Sequence, residues 1–169
     1  MFLKPPPFRP IFGLIALACV AMLAFGLYLQ HVEGLNPCPM CIVQRYALIG
    51  VLLLGLVGSR LHRLGRIALV AALMTVVSGF GAFVAARQSW LQWYPPEIVT
   101  CGRDLYGMIE NFPLQRVIPL VFRGSGDCTK VDWTFLGGSI ANWSFVGFVG
   151  FGLIALVIVF KALRQRRFG

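Results

Sequence analysis

Four long apolar stretches constrain the fold of this chain more than any other feature of its sequence. They are Ile11–Gln30, Ile42–Ser59, Ile67–Ala86 and Ile140–Phe160. Each has about the 17–25 residues that a helix needs to cross a hydrocarbon core of roughly 30 Å. Arg45 is the one charged residue inside any of them. The stretches predict an all-α membrane protein, a four-helix transmembrane bundle.

The composition supports the same class. Of the 169 residues, 58% are hydrophobic and 12% are charged, whereas a soluble domain has roughly 25% charged residues. We therefore expect a single membrane domain over residues 1–169. Its expected helices span about 11–30, 41–59, 67–88 and 140–160, with a short outer loop at about 31–40 and a long one at about 89–142.

Two points about the first two helices need a separate argument, namely where the second begins and whether the first is retained. Pro37 and Pro39 discourage a helix through Cys38, so the second helix is expected to begin near Cys41. The first apolar stretch is longer than the about 7–15 residues of a signal peptide's apolar region, and no convincing small-x-small cleavage site precedes Gln30-His31. We expect it to be a retained helix.

The charges divide between the two sides of the predicted membrane. The two tails and the turn between the second and third helices hold basic residues and no acidic ones, namely Lys4, Arg9, Arg60, Arg63, Arg66, Lys161, Arg164, Arg166 and Arg167. All 6 acidic residues lie on the other side. The positive-inside rule then predicts that both termini are cytoplasmic. Topology explains the net charge of +9, and no nucleic-acid partner is expected.

Four of the 5 cysteines, Cys38, Cys41, Cys101 and Cys128, lie on the outer side of this topology. They allow three pairings. Local geometry favours Cys38–Cys41, because a CxxC pair closes easily, and Cys101–Cys128 then follows. A bridge between residues so close in sequence constrains little chain entropy, which favours a redox or metal role for the first pair. Two disulfides that only staple loops remain the alternative.

Other roles for the cysteines are weaker. Structural zinc sites usually combine two closely spaced pairs, and here Cys101 and Cys128 are far apart in sequence. Ile42 follows Cys41, so the CxxCH pattern of haem attachment is absent. We expect no metal. Cys19, in the middle of the first helix, is expected to pack as a small apolar residue.

Arg45 is a charge inside a membrane segment, which by default suggests a function. Because it lies about one turn from the outer boundary, it can also extend its side chain to the membrane surface. Its position four residues after Cys41 places both on one side of the helix and favours the functional interpretation. A guanidinium there can stabilise a thiolate or bind a quinone oxygen.

Several motifs accompany these residues in order along the chain. They are Gln30-His31-Val32, Pro37-Cys38-Pro39-Met40-Cys41 with Arg45, Leu91-Gln92-Trp93-Tyr94-Pro95 before Thr100-Cys101, Ser125-Gly126-Asp127-Cys128, and Trp133-Thr134-Phe135-Leu136-Gly137. With the four predicted helices, this pattern resembles the DsbB family, disulfide bond formation protein B of the bacterial inner membrane. The resemblance covers essentially the whole chain.

The resemblance implies a quinone-dependent enzyme that reoxidises DsbA, a soluble periplasmic thiol oxidase, and passes the electrons to ubiquinone, or to menaquinone when oxygen is scarce. It implies that Cys101 forms the mixed disulfide with DsbA and that Cys128 is its intramolecular partner. Cys38–Cys41 would receive the electrons and reduce the quinone, with Arg45 beside it. Both outer loops would then be periplasmic.

Two positions depart from some relatives of that family. Gln88 stands where some have a histidine linked with quinone, and Gln44 stands where some have a glutamate before the arginine. A glutamine can hydrogen-bond a carbonyl oxygen but cannot act as a cationic acid. Gln88 is therefore a candidate quinone contact without a proton-donating role. A non-enzymatic scaffold, and a relative serving another thioredoxin-like partner, are the remaining alternatives.

Overall fold

The computed structural model describes residues 8–35, 38–95, 131 and 133–168. Its elements in chain order are α1 (Arg9–His31), α2 (Pro39–Arg60), α3 (Leu64–Trp93), β1 (Thr134–Phe135), β2 (Gly138–Ser139) and α4 (Ile140–Phe168). Within these residues, four helices are long and apolar enough to cross a membrane. The chain is a multi-pass membrane protein with a four-helix bundle, which confirms the predicted class.

Consecutive helices pack against one another, α1 on α2, α2 on α3, and α3 on α4. Their outward faces present large apolar side chains such as Leu14, Val76 and Leu153. A soluble protein rarely exposes apolar surface on this scale, whereas a lipid-facing surface requires it. The buried core contains Phe12, Phe148 and other apolar side chains from all four helices.

Helix α2 begins at Pro39, two residues before Cys41, and the expectation that no helix runs through Cys38 is confirmed. Proline suits the first helical position, where its missing N–H would have no partner and its fixed φ is already helical. Cys38 is the N-cap residue with extended backbone, and its Sγ accepts a bond from the Cys41 N–H. Pro39 therefore starts the helix between the two cysteines, with Cys38 at the N-cap and Cys41 in the first turn.

The predicted end of α3 near Gln88 is wrong, because the helix continues to Trp93. No proline or glycine follows Gln88 in the sequence until Pro95, and the Tyr94 N–H still donates to the Trp90 carbonyl at 2.9 Å. The long outer loop is shorter than predicted at this end. Gln88 consequently lies inside a helix and inside the bundle rather than at a helix end.

The start of α1 and the end of α4 also lie beyond their predicted limits. Arg9 begins α1, and its Nε donates to the Ser59 carbonyl at 2.7 Å, which links α1 to the end of α2. The last turns of α4 include Arg166 and Arg167. Basic residues favour the C-terminal end of a helix, so α4 continues beyond its apolar stretch.

Two glycines allow aromatic rings to fill space at helix contacts. A Cβ on Gly81 of α3 would lie 2.5 Å from a ring carbon of Phe148 on α4. A Cβ on Gly58 of α2 would lie 2.6 Å from a ring carbon of Phe12 on α1. Close approach at such small residues is a common way for helices to associate in membranes.

We expect Gly81→Ala to lower the stability of the bundle by about 1–3 kcal/mol, because the added methyl group overlaps the buried Phe148 ring. Gly79→Ala is the matched control on the same helix, since its added methyl group would meet no other part of the described chain within 4 Å. Both variants gain the same helix propensity, so their difference isolates packing. Thermal unfolding in detergent measures it, and equal midpoints for the two variants would contradict the packing argument.

Candidate functional site

Cys38 and Cys41 lie together at the N-terminal end of α2, with their Sγ atoms 2.9 Å apart. This separation brings the two sulfurs into contact and is longer than the roughly 2.05 Å of a covalent S–S bond. Cys38 is only 5% exposed, and Cys41 is half-buried. The pair therefore faces the interior of the bundle, where the CxxC spacing and the N-cap geometry together place it.

Two buried glutamines contact this pair and each other. The Gln88 Nε2 lies 3.4 Å from the Cys38 Sγ and 3.3 Å from the Cys41 Sγ. The Gln44 Nε2 donates to the Gln88 Oε1 at 2.7 Å. Gln44 and Gln88 are 6% and 4% exposed, and buried amides need such partners. The candidate quinone contact Gln88 is thus also a direct neighbour of both sulfurs.

Sequence reasoning gave Gln44 no role of its own. Its spacing of three residues after Cys41 was the available signal, since that spacing puts both side chains on one face of α2. The partner of Gln44, however, comes from α3. Only the packing of these two helices shows that the glutamine at 44 supports the glutamine at 88.

Arg45 reaches across to α1. Its Nη1 donates to the Gln30 Oε1 at 2.5 Å, and its Nη2 donates to the Gly26 carbonyl at 3.0 Å. The guanidinium is half-buried and bonded to the neighbouring helix, which is not the geometry of a side chain extended to the membrane surface. These contacts hold a positive charge within the bundle.

A cavity of about 500 Å³ lies among the helices beside these residues. Pockets for small molecules typically enclose about 300–1,000 Å³ and combine apolar walls with a few polar groups. Cys38, Cys41, Gln44, Arg45 and Gln88 all line this cavity. Much of the remaining wall is apolar and includes Leu23, Phe25, Leu48, Trp133, Trp143 and Phe148.

The β1–β2 hairpin borders the cavity and is an element that the sequence did not predict. Leu136 and Gly137 both have positive φ, as a two-residue type I′ hairpin turn requires. The Ser139 hydroxyl donates to the Gln92 Oε1 at 2.6 Å and joins the hairpin to α3. The Trp133 ring meets the Phe25 ring of α1 edge-on at 5.3 Å. Gly137 was the available signal for a turn, whereas Leu136 adopts positive φ against the usual preference of a leucine, which is why the hairpin was not predicted.

The other predicted site residues have different outcomes. Cys101 and Cys128, with most of the long outer loop, lie outside the described residues, so their pairing stays a prediction. Cys19 is buried in the apolar core, which agrees with a packing role. Across residues 8–35, 38–95, 131 and 133–168, no group of three or more histidine, cysteine or acidic residues could hold a metal ion.

These observations define the class of protein. It is a multi-pass membrane protein whose helix bundle holds two cysteines in contact beside a fixed cation and an apolar cavity. The family model described as "Disulfide bond formation protein DsbB" matches residues 8–158. The chain belongs to this family of disulfide bond formation proteins.

Curated relatives named "Disulfide bond formation protein B" match nearly the whole chain. The protein of Paracidovorax citrulli (strain AAC00-1) is 65% identical over 161 residues, 95% of this chain and 92% of its own length. That of Acidovorax sp. (strain JS42) is 66% identical over 156 residues, 92% and 90% of the two chains. That of Azoarcus sp. (strain BH72) is 48% identical over 162 residues, 95% and 97%.

Proposed function

We propose that this chain is a membrane thiol–disulfide oxidoreductase that reoxidises a periplasmic DsbA-type dithiol oxidase. The electrons pass through two internal disulfides to a membrane quinone, ubiquinone or menaquinone. One observation carries the proposal: Cys41 and Arg45 line the same cavity among membrane-spanning helices. That cavity offers a thiol and a fixed cation to a lipid-soluble electron acceptor.

The residues around the cavity fit a quinone. Leu48 and Phe148 give apolar walls suited to a ring. Arg45 has five N–H donors in a rigid fork, and the contacts to Gln30 and Gly26 use one on each of Nη1 and Nη2. Further donors remain to bind an oxygen atom that gains negative charge. When bound, a quinone supplies an acceptor for two electrons and two protons.

The chain's own residues carry the electrons to that acceptor. A thiolate attacks one sulfur of the Cys38–Cys41 disulfide, that S–S bond breaks, and its electron pair remains on the other sulfur. The second thiol of the incoming dithiol then attacks the resulting mixed disulfide. This exchange leaves Cys38 and Cys41 reduced and the incoming dithiol oxidised. Cys38 and Cys41 then lose two electrons and two protons and bond again. Their sulfurs already lie in contact, which suits the re-formation of the bond.

The partner-facing half of the proposal rests on the family resemblance. In it, Cys101 forms the mixed disulfide with the DsbA-type protein and Cys128 is its internal partner. The charge asymmetry supports a periplasmic position for this segment, since the basic tails mark the cytoplasmic side of a bacterial inner membrane.

Oxidation of reduced DsbA by the purified protein with a soluble ubiquinone analogue tests the function. We expect Cys41→Ser to abolish quinone-dependent turnover, because a serine hydroxyl cannot form the disulfide that stores the electron pair. Cys19→Ala is the matched control, because it removes a cysteine that lies in the apolar core away from the site. Wild-type turnover by the Cys41→Ser variant would refute the mechanism.

Arg45→Ala is expected to raise the apparent quinone KM about tenfold, equivalent to about 1.4 kcal/mol, with less effect on the exchange with DsbA. Arg45→Lys keeps the charge but lacks the rigid fork, so its apparent quinone KM should lie between those of wild type and Arg45→Ala. Arg87→Ala removes a cation near the same end of the bundle whose side chain does not line the cavity, and it serves as control. Equal quinone dependence in wild type and Arg45→Ala would contradict a quinone contact and leave Arg45 with the structural role of joining α2 to α1.

The proposed topology is tested with reporter fusions in cells. A fluorescent protein that matures only in the cytoplasm is expected to fluoresce when fused after the basic C-terminal end of α4. An alkaline phosphatase, which needs an oxidising periplasm, should be active when inserted in the segment between α3 and β1. Phosphatase activity at the C-terminus would reverse the orientation.

A further inference from the structure

We propose that Gln88 is a positioning residue for the Cys38–Cys41 pair, with its amide bonded to both sulfurs and held in orientation by Gln44. The amide would stabilise the reduced pair and so make its disulfide easier to reduce. This inference deepens the proposed function, since it rests on the pair being redox-active.

The contacts of Gln88 carry the inference. Its Nε2 is almost equally distant from the Cys38 and Cys41 sulfurs, at 3.4 and 3.3 Å. These distances suit N–H donors to sulfur, which is larger than oxygen. A thiolate is a charged acceptor and binds such a donor more strongly than the weakly accepting sulfurs of a disulfide do. One amide therefore favours the reduced state of both cysteines.

Gln44 determines which end of that amide faces the sulfurs. Its Nε2 donates to the Gln88 Oε1 at 2.7 Å, so the Gln88 oxygen is engaged and its NH₂ group is directed to the cysteines. The Cys41 Sγ also lies 3.7 Å from the same oxygen, the direction in which a protonated thiol would donate. The Gln88 amide can thus serve either protonation state of Cys41.

The burial of both glutamines explains why a neutral pair suits this place. An ionised side chain at a buried position carries a large desolvation cost unless it is paired. Among the described residues that line the cavity, Arg45 is the one with a formal charge, and its bonds to Gln30 and Gly26 direct it toward α1. An amide stabilises a thiolate without adding a second buried charge on the α3 side.

The test measures the reduction equilibrium of this pair without quinone. The full-length chain with Cys101→Ser and Cys128→Ser is equilibrated in detergent with mixtures of reduced and oxidised glutathione. Two glutathione thiols supply two electrons and two protons, the Cys38–Cys41 bond breaks, and one glutathione disulfide forms. Alkylation followed by mass spectrometry of the peptides gives the reduced fraction at each ratio.

In that background, Gln88→Leu is expected to lower the equilibrium constant for reduction about tenfold, which for two electrons is about 30 mV. Gln88→Met, which keeps an unbranched chain of similar length but has no N–H, should do the same. Gln44→Leu leaves the Gln88 amide free to turn and should shift the equilibrium in the same direction by less. Gln88→His, which restores a ring N–H donor, should lie nearer wild type than Gln88→Leu.

Gln92→Leu is the matched control, because it removes an amide one turn along α3 whose oxygen accepts from the Ser139 hydroxyl. Its equilibrium should equal that of the parent. An unchanged equilibrium in both Gln88→Leu and Gln88→Met would overturn the inference, and so would an equal shift in Gln92→Leu. If the Gln88 shift is found but wild type fails to oxidise DsbA with quinone, the proposed function fails and the inference about the pair stands.

Discussion

The hydrocarbon core of a membrane leaves backbone N–H and C=O groups no water to bond, and the rest of this structure depends on that constraint. Each spanning segment must satisfy its backbone internally, which a helix does. The hydrophobic effect then contributes little between helices, so close packing at small residues such as Gly58 and Gly81 has to hold them together. The same absence of water means that Arg45, Gln44 and Gln88 each need a partner from the protein, and each has one.

The class and the spans of the fold follow from hydropathy, but the helix ends do not. Hydropathy reports how much of a helix is immersed in hydrocarbon, whereas a helix ends where its backbone or capping residues require it. Pro39 discourages a helix through the residue before it, yet a proline without an N–H is well placed at the first helical position. Trp93 lies past the apolar stretch, yet nothing between Gln88 and Pro95 interrupts the helix. These differences in helix ends change the loop lengths and not the topology.

The site could be predicted as far as local spacing reaches. The contact between Cys38 and Cys41 follows from three residues of separation, and the shared side of Cys41 and Arg45 from four. The contact of Gln44 with Gln88 joins positions on two helices, so it depends on the depth and rotation at which α2 and α3 pack. A single sequence does not give that rotation. This is why the interaction between Gln44 and Gln88 was not predicted, although both residues were considered separately.

The arrangement around the thiols separates two electrostatic tasks. On the α3 side, Gln88 offers dipolar N–H donors to both sulfurs and adds no charge to its buried position. On the α1 side, Arg45 supplies a positive charge at the cavity wall, where neutral oxygens of Gln30 and Gly26 anchor it. A carboxylate partner for Arg45 would neutralise the field inside the cavity. Because these two partners are neutral oxygens, the guanidinium can act on negative charge that develops in the cavity while the amide stabilises the sulfurs from the opposite side.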